Sequence, residues 1–146
     1  MSTQQIEIVC QGFREFNRGN LAAMVSGWTD DVTFTFPGST KLGRVYEGRD
    51  AVESCFWKLQ QLMPGIQIEV INAFDGPDIV AVEWIKRSIA PDGTVFENAG
   101  VTVTEFRDGL VTAIRDYMDT EKLALIAAPR KRTTGARSTA ERTPVR

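Results

Sequence analysis

The chain predicts an α+β fold, with helices gathered first and a run of antiparallel strands after them. Two observations carry that prediction. From Gln5 to Asn17, after Asn20 and again from Ala51 to Leu62 the pattern is helical, whereas after Gly65 the hydrophobic period drops to two. Between the extended runs stand Asp75-Gly76-Pro77-Asp78, Pro91-Asp92-Gly93 and Asp108-Gly109, the last two being tight hairpin signals. A curved sheet wrapped around three N-terminal helices would form a cone-shaped α+β barrel with an enclosed pocket.

Each element has a local reason. From Gln5 to Asn17, Ile6, Val9, Cys10, Phe13 and Phe16 form one helical face that breaks at Arg18-Gly19. Asn20 caps a shorter helix with Leu21, Met24, Val25 and Trp28 on its apolar side. Val32 to Phe36 alternates as a strand, stops at Pro37-Gly38 and leads into a loop reaching Gly48. Asp50 caps a third helix, Ala51 to Leu62, closed by Pro64-Gly65. Four strands follow, Ile66 to Phe74, Ile79 to Ala90, Phe96 to Arg107 and Leu110 to Met118, with a last short helix from Thr120 to Ala127.

With 146 residues, 42% hydrophobic and 25% charged, the chain fits one domain with a single core. That domain is expected over residues 1–128. The formal charge of -2 hides an asymmetry. Residues 129–146 hold six Lys or Arg against Glu141 alone, leaving 11 basic and 18 acidic residues elsewhere. The tail has no aromatic residue to stack on bases, so a disordered extension is expected rather than a nucleic-acid arm. No apolar run approaches the roughly 20 residues of a membrane span, and the first residues lack a signal-peptide pattern. A cytoplasmic protein is expected, with Cys10 and Cys55 as buried free thiols.

The chemistry converges on Asp116. Alternation along Leu110–Met118 places it on one face with Leu110, Ile114 and Met118, so a carboxylate enters an apolar stripe. Such a position costs several kcal/mol unless partners compensate, and it is where functional carboxylates are found. The chain has no histidine. Proton transfer near neutral pH must therefore use a retuned carboxylate, lysine, tyrosine or cysteine. Lys86, of matching strand parity, is the natural ion-pair partner, and a purely structural pair is the competing explanation. A Schiff base on Lys86 would need a depressed pKa, which a nearby Asp116 opposes. Trp84 shares the parity of Lys86 and offers an apolar wall with one N–H donor. Arg115 and Tyr117 take the opposite face, where a subunit contact is expected. Gly43, Gly48, Gly93 and Gly109 read as turns, and no phosphate loop, metal-ligand cluster or nucleophile motif implies a cofactor.

Three short motifs in order, Asn17-Arg18-Gly19-Asn20, Tyr46-Glu47-Gly48-Arg49-Asp50-Ala51-Val52 and Ile114-Arg115-Asp116-Tyr117-Met118-Asp119, make residues 5–125 resemble the SnoaL-like branch of the nuclear-transport-factor-two-like superfamily. The resemblance implies a cone with a deep pocket, dimerised through the outer sheet face. It does not by itself fix a function, because the superfamily holds polyketide cyclases, ketosteroid isomerases, epoxide hydrolases and non-catalytic modules. The tyrosine and two aspartates of the ketosteroid isomerases look to fall on Gly12, Phe36 and Thr104, so that set is absent. Of the Asp-Arg-Asp set of the limonene epoxide hydrolases, only the last aspartate is kept, as Asp116; the Arg and first Asp fall on Trp84 and Lys86. Their water-holding tyrosine and asparagine fall on Phe34 and Phe36, which leaves no polar cradle for a hydrolytic water.

The combined expectation is a cofactor-free cyclase or isomerase acting on a hydrophobic, polyketide-like intermediate. Asp116, Lys86 and Trp84 would carry the chemistry. Phe34, Phe36, Trp28, Phe13, Phe56, Asn98, Thr102, Ile114 and Met118 would line the pocket. Storage of a lipophilic ligand without turnover is the reading from another class, and epoxide opening is a weaker third.

Overall fold

The computed structural model describes residues 3–127. The basic tail expected over residues 129–146 lies outside them. The element order is α1 (Gln4–Asn17), α2 (Leu21–Val25), β1 (Trp28–Phe36), β2 (Arg44–Glu47), α3 (Arg49–Leu62), β3 (Gln67–Gly76), β4 (Ile79–Ile89), β5 (Val95–Arg107), β6 (Leu110–Met118) and α4 (Thr120–Ala124). The six strands form one curved, unclosed sheet in the order β2-β1-β6-β5-β4-β3. All neighbours are antiparallel except β1 and β6. Helices α1 and α3 pack against that sheet and meet through α2.

Local chemistry sets most boundaries. The Thr3 hydroxyl accepts from the Ile6 amide at 3.1 Å and opens α1, and the Asn20 side chain does the same for α2 through the Ala23 amide. Asp119 caps α4 by accepting from the amides of Glu121 and Lys122. In α3 the expectation fails: the cap position is Gly48, with φ 90° and no side-chain cap, and Asp50 lies inside the first turn. There its charge favours the helix N-terminus without capping it. The hairpin between β5 and β6 turns at Asp108 and Gly109, both with positive φ, as a two-residue connection requires.

Three departures from the sequence expectation shape the interior. Trp28 belongs to β1, not to the second helix, which ends at Val25. The stretch read as a loop before Gly48 contains β2, whose Tyr46 pairs with Phe34 of β1. Third, β6 carries a bulge: Glu105 pairs with Ala113 but Phe106 with Val111, leaving Thr112 as the extra residue. The bulge reverses side-chain parity at the start of the strand. Val111 is buried, and Leu110, expected beside Asp116, is 43% exposed.

The core runs between α3 and the concave face of the sheet. Phe34, with no solvent exposure, has its ring 4.7 Å from Phe56 and 6.3 Å from Tyr46, while Phe16 meets Phe56 edge-on at 5.8 Å. These contacts are aromatic pairings that add to simple area burial. Of the two thiols, Cys55 is buried and Cys10 only partly so, and both are free. Among the described residues no helix is long and apolar enough to cross a membrane.

Candidate active site

A cavity of about 560 Å³ lies between α1, α2 and the inner face of β4, β5 and β6. Its walls are mostly apolar: Ile8, Val9, Phe13, Met24, Trp28, Phe56, Leu59, Ile68, Val111 and Ile114. Lys86, Thr102, Thr104 and Asp116 supply the polar groups of the sheet wall. Exposed Gln4, Glu7, Gln11 and Ser26 mark the side where it meets solvent. Gly12, where the ketosteroid isomerases would carry a tyrosine, borders the cavity, and a Cβ there would come no closer than 3.9 Å to a neighbour. The helix face is bare at that point, which leaves volume for a ligand.

Strand register assembles the polar group. Trp84 and Lys86 follow each other at two-residue spacing on β4, opposite Gly100 and Asn98 of β5. Thr102 of β5 lies opposite Asp116 of β6. Directly paired residues share a face, so all point to the concave side. The Trp84 Nε1–H donates to Thr102 Oγ1 at 2.7 Å, and the Thr102 hydroxyl donates to Asp116 Oδ1 at 2.6 Å. Asp116 Oδ2 stands 3.7 Å from Lys86 Nζ, an ion-pair distance but longer than a hydrogen bond. Lys86 Nζ also sits 4.4 Å over the Trp84 ring.

Gly100 makes this packing possible. A Cβ on it would lie 2.6 Å from the Trp84 indole and 2.3 Å from the Tyr117 carbonyl oxygen. Only a residue without a side chain lets the indole lie across β5 and reach Thr102.

Burial governs the electrostatics. Asp116 is 5% and Lys86 4% exposed. Desolvation pushes the Asp116 carboxyl above its ordinary range, opposed by the Lys86 charge and the Thr102 hydrogen bond. The same burial pulls the Lys86 amine below its ordinary range, opposed mainly by Asp116. The two proton affinities are thereby drawn toward each other. A raised carboxyl beside a lowered amine is the pattern that general acid–base work uses. Cys55, packed nearby, is pushed up to about 11 by its own burial and remains a thiol.

Of the residues expected from sequence, the structure brings Asp116, Lys86, Thr102, Phe13, Trp28, Phe56 and Ile114 onto the cavity wall. Phe34, Phe36, Trp84, Asn98 and Met118 do not line it. Phe34 and Trp84 are fully buried one layer behind the wall, because the sheet curves and deeper positions fill with the largest rings. Trp84 therefore reaches the site through Thr102 and through the Lys86 amine over its ring. Asn98 donates to the Asp119 carbonyl at 3.0 Å and braces the chain entering α4. Met118 is half-buried at the end of β6 opposite Gly100, and Phe36 packs beside Phe34. Sequence reasoning missed Val111, hidden by the bulge, and Leu59 and Ile68. The helical spacing of Leu59 from Phe56, and of Phe56 from Val52, could have indicated Leu59.

Fold and site together define a small α+β pocket protein with a buried acid–amine pair. The chain belongs to the SnoaL-like domain family, whose model matches residues 9–114. No curated protein matches it in sequence. Among solved structures it is similar to TerC crystallised with polyporic acid, at 20% identity and TM-score 0.76, covering 85% of this chain and 98% of that one. It is similar to a candidate SnoaL-like polyketide cyclase from Jannaschia sp., at 21% identity and TM-score 0.73, covering 87% and 94%. A protein of ketosteroid isomerase-like fold from Catenulispora acidiphila, in complex with trimethylamine, matches at 18% identity and TM-score 0.73, covering 88% and 96%. At these identities the likeness establishes the fold.

Proposed function

We propose that the protein is a cofactor-free cyclase or isomerase acting on a hydrophobic, polyketide-like substrate. The observation that carries this reading is the buried Lys86–Asp116 pair, tied through Thr102 to Trp84, on the wall of an otherwise apolar cavity. A pair kept only for structure would be expected inside solid packing, not beside open volume. The chain belongs to the SnoaL-like domain family, and its fold is shared with a candidate SnoaL-like polyketide cyclase and with TerC, which was crystallised with polyporic acid.

In this reading the cavity does the first part of the work. A ligand losing about 200 Å² of apolar surface gains on the order of 5 kcal/mol before the cost of ordering it. Walls formed by Phe13, Trp28 and Phe56 fold a flexible chain so that its reacting carbons meet. Asp116 then takes a proton from a carbon beside a carbonyl, and Lys86 steadies the charge that develops on the carbonyl oxygen. Trp84 acts as a positioning residue, fixing the Thr102 hydroxyl toward Asp116.

The same reading includes a homodimer through the convex sheet face, where Tyr117 is 54% exposed beside partly exposed Val101 and Val103. Light scattering at two concentrations tests it.

The direct test is turnover of linear, hydrophobic poly-β-carbonyl compounds by the wild-type protein and by Asp116→Asn. A loss of about 10²–10⁴-fold with the fold intact is expected for removal of a general base. Cyclisation by Asp116→Asn at the wild-type rate would remove Asp116 from the mechanism.

A further inference from the structure

We propose that Lys86 is a covalent capture site, whose amine takes an apolar aldehyde or ketone seated in the cavity as an imine, with Asp116 moving the protons. The inference goes beyond the cyclase reading, because any carbonyl compound that fits would be captured whether or not a ring then closes.

The geometry has the parts such a step needs. Lys86 lines the cavity and is held by two weak contacts, the 3.7 Å approach to Asp116 and the 4.4 Å approach to the Trp84 face. Neither is a short hydrogen bond that would tie up the nitrogen. Asp116 borders the same cavity and can reach both the nitrogen and an oxygen attached to the captured carbon. Thr102 holds its other oxygen at 2.6 Å and fixes the carboxyl. Proximity of the carboxylate argues from sequence for a permanently charged lysine. Two observations weigh on the other side: the pair is loose at 3.7 Å, and burial, the largest influence on Lys86, lowers its amine. Trp84, behind the wall, bars water from one side of the amine. Cys55 does not compete as nucleophile, being a thiol at neutral pH and absent from the cavity wall.

The step balances as follows. The Lys86 nitrogen lone pair bonds to the carbonyl carbon, and the C=O π electrons pass to oxygen, which takes a proton from the Asp116 carboxyl. The nitrogen loses one proton to the Asp116 carboxylate, which returns it to the hydroxyl, and water departs as the C=N bond forms. One carbonyl and one amine become one imine and one water. Protonated on nitrogen, the imine acidifies the neighbouring C–H, and Asp116 can remove that proton to give an enamine. The enamine carbon is a nucleophile for a second carbonyl of the same chain, and water releases Lys86 afterwards. A loosely held lysine on the wall of an apolar cavity of about 560 Å³ is thus matched to ketones and aldehydes rather than to carboxylic acids or amines.

The test uses the full chain, 6-methoxy-2-naphthaldehyde and sodium cyanoborohydride at neutral pH, with peptide mapping of the reduced adduct. Exposed Lys41, Lys58 and Lys122 serve as internal references. The cavity seats the aldehyde beside the Lys86 amine, so Lys86 should carry about tenfold more label than any other lysine. 1-Methylnaphthalene, of similar shape but without a carbonyl, should protect Lys86 and leave the exposed lysines unchanged. Lys86→Arg should remove the dominant adduct. Label spread over exposed lysines with Lys86 unmodified, or no protection by the hydrocarbon, would overturn the proposal. Neither readout needs cyclisation, so failure of the cyclase reading leaves this one standing or falling by itself.

Discussion

Lys86 and Arg87 are neighbours on β4 and face opposite ways. Arg87 lies on the convex side and bridges Glu69 at 2.9 Å and Glu97 at 2.6 Å, all three substantially exposed. Lys86 lies on the concave side and meets Asp116 at 3.7 Å, both nearly buried. The shorter contacts are the less consequential ones. Water screens the convex pairs and hydrates their fragments when they break, so they add little. On the concave face no solvent replaces a lost partner, so breaking the looser pair strands a charge. Distance ranks interactions poorly here; the medium decides.

The sharpest way to break this contrast is Lys86→Met. It should destabilise the protein by about 3–5 kcal/mol, since Asp116 is left unpaired. Urea unfolding measures this, and a change as small as that of Arg87→Ala would show that both faces are equally solvated.

The pH dependence sharpens the comparison further, because the two single variants should tilt in opposite directions. In Lys86→Met the remaining carboxyl has a folded pKa raised by burial. Its contribution is fully present below the unfolded value of about 3.9 and is lost as pH rises through the raised folded value. In Asp116→Asn the remaining amine has a folded pKa lowered by burial. Its contribution is present above the unfolded value of about 10.4 and is lost as pH falls through the lowered one. Melting temperatures across pH 4–10 should therefore fall with rising pH for the first variant and with falling pH for the second. Parallel curves would mean that the two groups are not buried as found.

Smaller effects are expected one step away from the pair. Thr102→Val leaves the Trp84 N–H and one Asp116 oxygen without partners and should cost about 1–3 kcal/mol. Gly100→Ala pushes against the Trp84 ring and should cost a similar amount, about 1–3 kcal/mol, while slowing any Asp116-dependent reaction. A Gly100→Ala protein with unaltered kinetics would free Trp84 of its positioning role. Least of all, Arg87→Ala should leave both the unfolding midpoint and the activity within measurement error.

The strands β3 to β6 were legible because their signals are local: a two-residue alternation ended by Asp-Gly and Pro-Asp-Gly turns. The matching parity of Lys86 and Asp116 was readable for the same reason. What misled was also local. Trp28 fits a helical spacing after Leu21 and Val25, but the chain exchanges that contact for strand pairing with Val111. Arg44-Val45-Tyr46-Glu47 is too short to announce a strand by itself and becomes one because β1 offers an unpaired edge. Phe34 and Trp84 were placed on the right face but at the wrong depth, since parity fixes a face and says nothing of what covers it.

Sequence alone determined the α+β class, the run of four strands after Gly65, the family resemblance and the meeting of an acid and a lysine on one sheet face. Those follow from periodicity and turn chemistry, which act between residues close in the chain. Tertiary structure alone decided that Thr112 would bulge and bring Val111 inward, that Gly100 would admit the Trp84 ring, and that the acid and the amine would border open volume. Each of these depends on how far a sheet curves and which distant surface closes over it, and no spacing within a single strand encodes that.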